Sequence, residues 1–458
     1  MKRLLSWTMV AILLGVGSTL VRGQKDEATK LPASAALAGT LPDGSNYRVV
    51  KPTPWNGTLV LDLDFINNPS APPSAIELWM VANGYAIGGI SREPIAYRFP
   101  QAVDDLLTVR TMFIERWGAT PTRTVSLGNS RGAFVSRIGL ERRPDVFAGA
   151  LMSAGGGAGE VALHNAKLDA LWTLKQFSAV PLVVAGFSSE AEAAAEGAKI
   201  QQAVKTLQLT ALGRARLALA GAFEQLPVWA DGDQPPAADD FEAQVEQLAI
   251  GFVAGHPAVV RYNIEQTAGG IFSWNQGVDY TDLLSRSRLS PMVTALYRKA
   301  GGDLDADLRT LARAPRIAAT PAAVAMVEKT MSYSGKISGP VLIVDNIGDP
   351  FDVESFDQAY ERTVAGAGNA ALLRMTWVRS SRHSTQSPLE RLAGFSILIE
   401  RLDTGRWADT SPDAMNARAA RIRQGTTLDL GAARFIPYAA PEILRPWDSR
   451  NWGTYSQR

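Results

Sequence analysis

The sequence predicts an α/β fold: a mostly parallel, doubly wound sheet with helices on both faces and a helical insertion near its middle. Three observations predict it. Short apolar runs alternate with amphipathic helical stretches from about Tyr47 to Ser153, the pattern of parallel strands joined by helical crossovers. The alternation stops at about Gly156, gives way to alanine-rich helical sequence as far as Lys336, and resumes at Gly339. A Gly-x-Ser-x-Gly turn, Gly128-Asn129-Ser130-Arg131-Gly132, joins a buried strand to a helix, a setting in which a serine on strained backbone exposes its hydroxyl above a sheet.

The chain opens with Lys2 and Arg3, an apolar run from Leu4 to Val21, and Val21-Arg-Gly23 before Gln24. That pattern reads as a secretory signal peptide over residues 1–23 and predicts a secreted or periplasmic protein with no stable membrane insertion after cleavage. The competing reading is an uncleaved anchor, for which the run is near the minimum spanning length. Residues 24 to about 40 lack periodicity and are expected to be a flexible leader. Tyr47–Pro52 and Gly57–Phe65 read as strands, Ser74–Asn83 as a helix and Gly84–Ile90 as a strand. Pro100–Trp117 is an amphipathic helix with apolar Val103, Leu106, Leu107 and Phe113, and Thr124–Leu127 is the strand before the serine turn. The next helix runs to about Arg142, and Phe147–Ser153 is a short buried strand. After the insertion come a strand ending at Asp345, a helix over Phe356–Ala365, a strand over Leu372–Val378 and a helix over Pro388–Leu402. A Trp- and Pro-containing tail from about Thr404 is expected to pack back on the core.

With 458 residues, 46% of them hydrophobic and 20% charged, the chain has ample apolar material for a large core. Lys and Arg number 46 against 45 Asp and Glu, so the overall charge gives no reason to expect a nucleic-acid partner. Cysteine is absent, which excludes disulfides, thiolate metal sites and a cysteine nucleophile. The histidines do not have metal-ligand spacing, and the glycine run from Ser153 to Gly159 lacks a phosphate-loop ending and reads as a hinge. No cofactor and no metal are therefore expected. Arg418–Arg423 reads as a solvated basic helix face. The aromatic residues Trp172, Phe177, Trp229, Phe252, Phe272 and Trp274 supply insertion core, with one or two expected to face substrate.

A serine nucleophile needs a base for its proton and a third group to hold that base in one tautomer. Of the three histidines, His383 lies just after the last long strand, whereas His164 and His256 fall in the insertion. The acid is expected after the strand ending at Asp345, in Asn346-Ile-Gly-Asp349-Pro-Phe-Asp352. Asp349 is preferred, because Asp345 is still in the strand and Asp352 is further out. Ser130, Asp349 and His383 thus each follow a strand of one sheet, in that order.

In this arrangement the chain resembles the α/β-hydrolase-fold serine hydrolases. Trp55-Asn-Gly-Thr-Leu-Val60 and Trp274-Asn-Gln-Gly-Val-Asp-Tyr280 are similar to segments of secreted bacterial members with a large cap. The resemblance implies an α/β-hydrolase fold, with residues 24–155 and 337–458 as the catalytic domain and 156–336 as a helical cap. It also implies oxyanion donors at the backbone N–H groups of about Phe65 and of Arg131. Members of this kind carry His-Gly where this chain has Asp64-Phe65, so Asp64 is expected to face away or to be neutralised by Arg92 or Arg131, or else the oxyanion hole is built differently. The implied activity is hydrolysis of a small-molecule or oligomeric carboxylic ester through an acyl-enzyme on Ser130. Peptide or amide hydrolysis would use the same residues, and a non-catalytic binding protein is the reading from another class.

Overall fold

The computed structural model describes residues 34–62, 72–91 and 96–446. Its strands are β1 (Ser34–Thr40), β2 (Asn46–Pro52), β3 (Thr58–Asp62), β4 (Ala86–Ile90), β5 (Arg123–Asn129), β6 (Phe147–Ser153), β7 (Val341–Gly348), β8 (Leu373–Ser381) and β9 (Phe435–Ile436). They form one sheet in the order β1-β2-β4-β3-β5-β6-β7-β8-β9. The pairs from β4 through β8 are parallel, and β1–β2, β2–β4 and β8–β9 are antiparallel. This is an α/β fold with a mixed, mostly parallel sheet. Strands β3 and β4 are buried along their whole length, which is why they read as continuous apolar runs rather than alternating ones.

Helices α1 (Ala75–Ala82), α2 (Phe99–Trp117) and α3 (Arg131–Arg142) join the first parallel strands. The chain pairs β4 with β3 on one side and then crosses to place β5 on the other. The carboxyl ends of β3 and β5 therefore flank a reversal of strand order, where open α/β sheets form their ligand crevice.

Between β6 and β7, nine helices occur among the described residues. They are α4 (Gly159–Phe177), α5 (Glu190–Gln208), α6 (Ala211–Glu224), α7 (Phe241–Gly255), α8 (Ala258–Ala268), α9 (Tyr280–Arg286), α10 (Ser290–Ala300), α11 (Leu304–Arg313) and α12 (Pro321–Met331). Several start on side chains that accept a first-turn N–H: Ser189, Thr210, Asp240, Asp279 and Asp303. Each such cap stabilises its helix by about 1 kcal/mol. Trp172, Trp229, Phe252, Phe272 and Trp274 are buried, and Phe177 lies beneath the Arg216 guanidinium at 4.8 Å. Strands β6 and β7 pair directly, Ala150 with Val341 through Met152 with Ile343. The insertion thus leaves the sheet continuous.

Helices α13 (Glu354–Gly366), α14 (Pro388–Thr404) and α15 (Pro412–Gln424) complete the chain. In the tail, β9 adds to β8, and Arg418 of the basic stretch on α15 pairs with Glu400 of α14. Among the described residues no helix is long and apolar enough to cross a membrane.

Two local expectations need correction. Residues 34–40 are not a leader but strand β1, paired with β2 from Ser34–Pro52 to Thr40–Asn46. A tight turn sets this register, with Leu41 N–H donating to Ser45 O at 2.8 Å and Asp43 accepting the Ser45 N–H at 2.9 Å. The strand is mostly exposed, so backbone bonds rather than apolar alternation hold it. The glycine run is not a loose hinge, since Gly155 and Gly156 are buried against α3. A Cβ on Gly156 would lie 1.6 Å from the Phe134 ring.

Beneath α3, the fully buried Arg137 donates to Asp357 Oδ1 of α13 at 2.8 Å and to the Gly155 carbonyl. Its guanidinium lies 4.6 Å from the Tyr360 ring centre. Arg137→Met leaves Asp357 without its cation, which should cost about 3–5 kcal/mol. Equilibrium urea unfolding is expected to show the lowered midpoint, and pairing the change with Asp357→Leu should recover much of it.

Candidate active site

Strand β5 ends at Asn129 and α3 begins at Arg131, so Ser130 alone makes the turn. It does so at φ 53° and ψ −121°, a left-handed conformation that costs a non-glycine residue about 1–3 kcal/mol. The flanking glycines explain how the turn closes. A Cβ on Gly128 would lie 2.3 Å from the Gly132 carbonyl oxygen, and one on Gly155 would lie 2.1 Å from Ala133 Cβ. Ser130 N–H donates to Ser153 O of β6 at 2.9 Å, and Ser126 and Ser136 join strand to helix through a buried 2.8 Å hydroxyl pair.

Ser130, Asp349 and His383 are brought together. Ser130 Oγ is 2.8 Å from His383 Nε2, and His383 Nδ1 is 2.7 Å from Asp349 Oδ2. Asp349 follows the last residue of β7 and is fully buried. Its other oxygen accepts the Phe351 N–H at 2.8 Å and the Asp352 N–H at 3.1 Å. With a carboxylate at Nδ1, the imidazole carries its proton there and turns the Nε2 lone pair to the serine. His383 sits between Arg382 and Ser384, both at positive φ, in a loop tied to its surroundings. Arg382 pairs with Asp231, Ser381 Oγ donates to Gly232 O at 2.8 Å, and Asn129 Nδ2 donates to Ser384 Oγ at 3.1 Å. The Phe351 ring lies 4.8 Å from the imidazole.

Burial pulls the His383 imidazole toward neutrality. The Asp349 carboxylate, its hydrogen bond and Asp352 outweigh that pull, with Lys167 opposing them, and the net shift is upward. Asp352 is itself pushed up to about 8, first by burial and then by the neighbouring carboxylates of Asp357 and Asp349. Burial and the same neighbours raise Asp345 well above the usual carboxylate range. Asp345 lies in β7, donates no group toward His383, and accepts from Asn346 N–H and Gln386 Nε2.

His164 and His256 are buried in the insertion, bonded to Glu160 and Glu224. Arg131 opens α3, and the first N–H groups of a helix have no carbonyl partner within it. Its side chain reaches back to Ala96 O at 3.0 Å and lies 4.3 Å over the Tyr97 ring. The other expected oxyanion and neighbouring residues, Asp64, Phe65 and Arg92, lie outside the described residues. Among the described residues no group of three or more His, Asp or Glu could hold a metal ion. Asn129 and Phe351 also belong to the site. Asn129 carried a signal in its place inside the serine motif, whereas Phe351 carried none beyond its closeness to Asp349.

This sheet, reversed at β3 and bearing serine, acid and histidine in that order along its carboxyl edge, is built as α/β-hydrolases are. No profile of a known protein family matches the chain. It is, however, 31% identical over 442 residues to the o-phthalyl amidase of Xanthobacter agilis, across 89% of this chain and 96% of that one. The chain therefore belongs to the family of that amidase, as a hydrolase of the α/β-hydrolase fold. Among solved structures, feruloyl esterase B from Aspergillus oryzae matches with a TM-score of 0.39 and 13% identity over 82% of this chain and 81% of that one. Candida antarctica lipase A in its closed state matches with a TM-score of 0.35 and 11% identity over 85% and 86%.

The raised His383 value fixes a sign for pH dependence. A base must be neutral to accept a proton, so activity is expected to rise with pH through an acid limb above the ordinary imidazole value of about 6.5. Asp349→Asn removes the charge that raises it. The limb should then move to lower pH while the rate falls about 10³- to 10⁴-fold, as read from kcat/KM against pH.

Proposed function

We propose that the chain is a serine hydrolase that cleaves a carboxylic acyl bond through an acyl-enzyme on Ser130. The observation that carries this reading is the unbroken chain of hydrogen bonds from Ser130 Oγ through His383 to Asp349, at 2.8 and 2.7 Å. Ser130 Oγ attacks the acyl carbon as Nε2 takes its proton, and Asp349 stabilises the imidazolium that forms. The Arg131 N–H, at the positive end of α3, serves the developing oxyanion. His383 then returns the proton to the leaving group, and water, activated by the same nitrogen, releases the acid.

The scissile bond we favour is an amide. What supports it is the 31% identity to an enzyme named for amide cleavage at an o-phthalyl group, which makes an aromatic acyl group the first to try. An ester of the same acid would give the same acyl-enzyme from a better leaving group, so aryl esters serve as a sensitive second assay. The basic and apolar segment over residues 1–23 supports an exported enzyme.

A fluorophosphonate probe should label the protein once, at Ser130, and Ser130→Ala should abolish labelling and lower turnover at least about 10³-fold. A panel of aryl esters, o-phthalyl amides and peptide amides ranks the substrates by kcat/KM. Well-folded protein that neither labels nor loses turnover on Ser130→Ala would overturn the reading.

A further inference from the structure

We infer that Lys167, a buried lysine of the insertion, is a positioning residue for the triad, holding the backbone segment that fixes both Asp349 and His383. The inference rests on the serine-hydrolase reading above. Lys167 projects from α4, and its side chain is 7% exposed. Its ammonium donates to the Phe351 carbonyl at 2.8 Å, to the Gly255 carbonyl at the end of α7 at 2.8 Å, and to Glu224 Oε1 of α6 at 3.3 Å. An ammonium has three donors, and these acceptors match them.

Phe351 is the residue through which the lysine acts. Its N–H binds Asp349 Oδ1 at 2.8 Å, its ring lies 4.8 Å from His383, and its carbonyl is the one Lys167 holds. The same ring lies 4.9 Å from the ammonium. One cation thus pins the amino acid that orients the catalytic carboxylate and backs the imidazole, and ties it to α7.

The charge is balanced from behind. Glu224 Oε2 is 2.6 Å from His256 Nε2, and His256 Nδ1 donates to Phe252 O at 2.9 Å. Because Nδ1 must donate to that carbonyl, a proton also lies in the Nε2–Glu224 contact. Burial would raise Glu224, but His256 and Lys167 outweigh it and bring it down, so a carboxylate stands behind the ammonium.

The titratable and charged groups facing His383 are Asp349 and Asp352 after β7 and Lys167 of α4, with the Arg382–Asp231 pair beside it. Those facing Lys167 are Glu224 of α6 and His256 at the end of α7, and beyond them His164, which also faces Glu160 and Arg261 of α8. Lys167 lowers the His383 value against the carboxylates that raise it. Losing it therefore has a sign that loss of packing alone does not.

Lys167→Met keeps an unbranched stem of similar length and removes the charge. Relative to the native protein, kcat is expected to fall about 10- to 100-fold, the order that misplacing catalytic groups by a fraction of an ångström produces, with KM changed little. The acid limb of kcat/KM should move to higher pH. Lys167→Arg keeps the charge but not the compact three-donor geometry, so kcat should fall with its limb nearly in place; it decides the matter if Lys167→Met fails to fold. A lower kcat with the limb moved up in Lys167→Met, or, where that variant does not fold, a lower kcat with the limb unmoved in Lys167→Arg, supports the inference. Native protein that labels with the fluorophosphonate, beside folded variants that keep the native kcat or a Lys167→Met limb that stays in place, overturns the inference alone. Native protein that does not label overturns the serine-hydrolase reading, and this inference with it.

Discussion

The site depends on the close approach of β5 and α3, which holds Ser130 in a conformation its side chain disfavours. The left-handed backbone at φ 53° costs about 1–3 kcal/mol. Against it stand Val125 and Leu127 on the strand and Ala133, Val135 and Ile138 on the helix, all buried. Burying a single large apolar side chain contributes about 1.5–3 kcal/mol, so the packing of this one unit exceeds the strain. Glycine at 128 and 155 lets the approach happen. Without it the Cβ atoms would stand 2.3 and 2.1 Å from their neighbours, and the hydroxyl would lose its place at the carboxyl edge.

The other two members of the triad are held from a different direction. Asp349 and His383 lie on loops beyond β7 and β8, where the sheet ladder has ended, and part of their restraint comes from residues between β6 and β7. Loop residues Asp231 and Gly232 bind Arg382 and Ser381, α7 packs its last turn on Pro350, and Lys167 of α4 binds Phe351 O. Asp231 and Gly232 hold side chains of the His383 loop, and Lys167 gives the Phe351 carbonyl the partner that a buried backbone group requires.

Much of this was legible in the sequence where a residue's role is local. The central strands announce themselves because burial on both faces demands continuous apolar runs. The Ser130 turn is written in its glycines. Asp349 could be preferred over Asp345 and Asp352 because strand ends place side chains at the sheet edge. Strand β1 escaped notice because backbone bonds hold it and its side chains stay exposed. Lys167, Glu224 and His256 were not legible for another reason: they meet only through the packing of α4, α6 and α7, and residues so far apart in sequence leave no spacing to read.

The carboxyl groups behind the triad point to a common electrostatic design. Asp345, Asp349, Asp352 and Asp357 lie close enough to act on one another, with Arg137 paired to Asp357. Were all four ionised, their field would hold His383 as a cation, and a cation cannot take the serine's proton. Burial and mutual repulsion work against this, driving Asp345 well up and Asp352 to about 8. Asp349 differs from them in accepting two backbone N–H bonds and facing the imidazole. Asp349 is the carboxyl in contact with the imidazole, placed to orient it and, in the proposed mechanism, to stabilise its transient cation, while Lys167 opposes the upward pull of Asp349 and Asp352. Lys167, and the repulsion that keeps these buried acids from all being charged together, limit how far the base is pulled up, so that it can still release its proton.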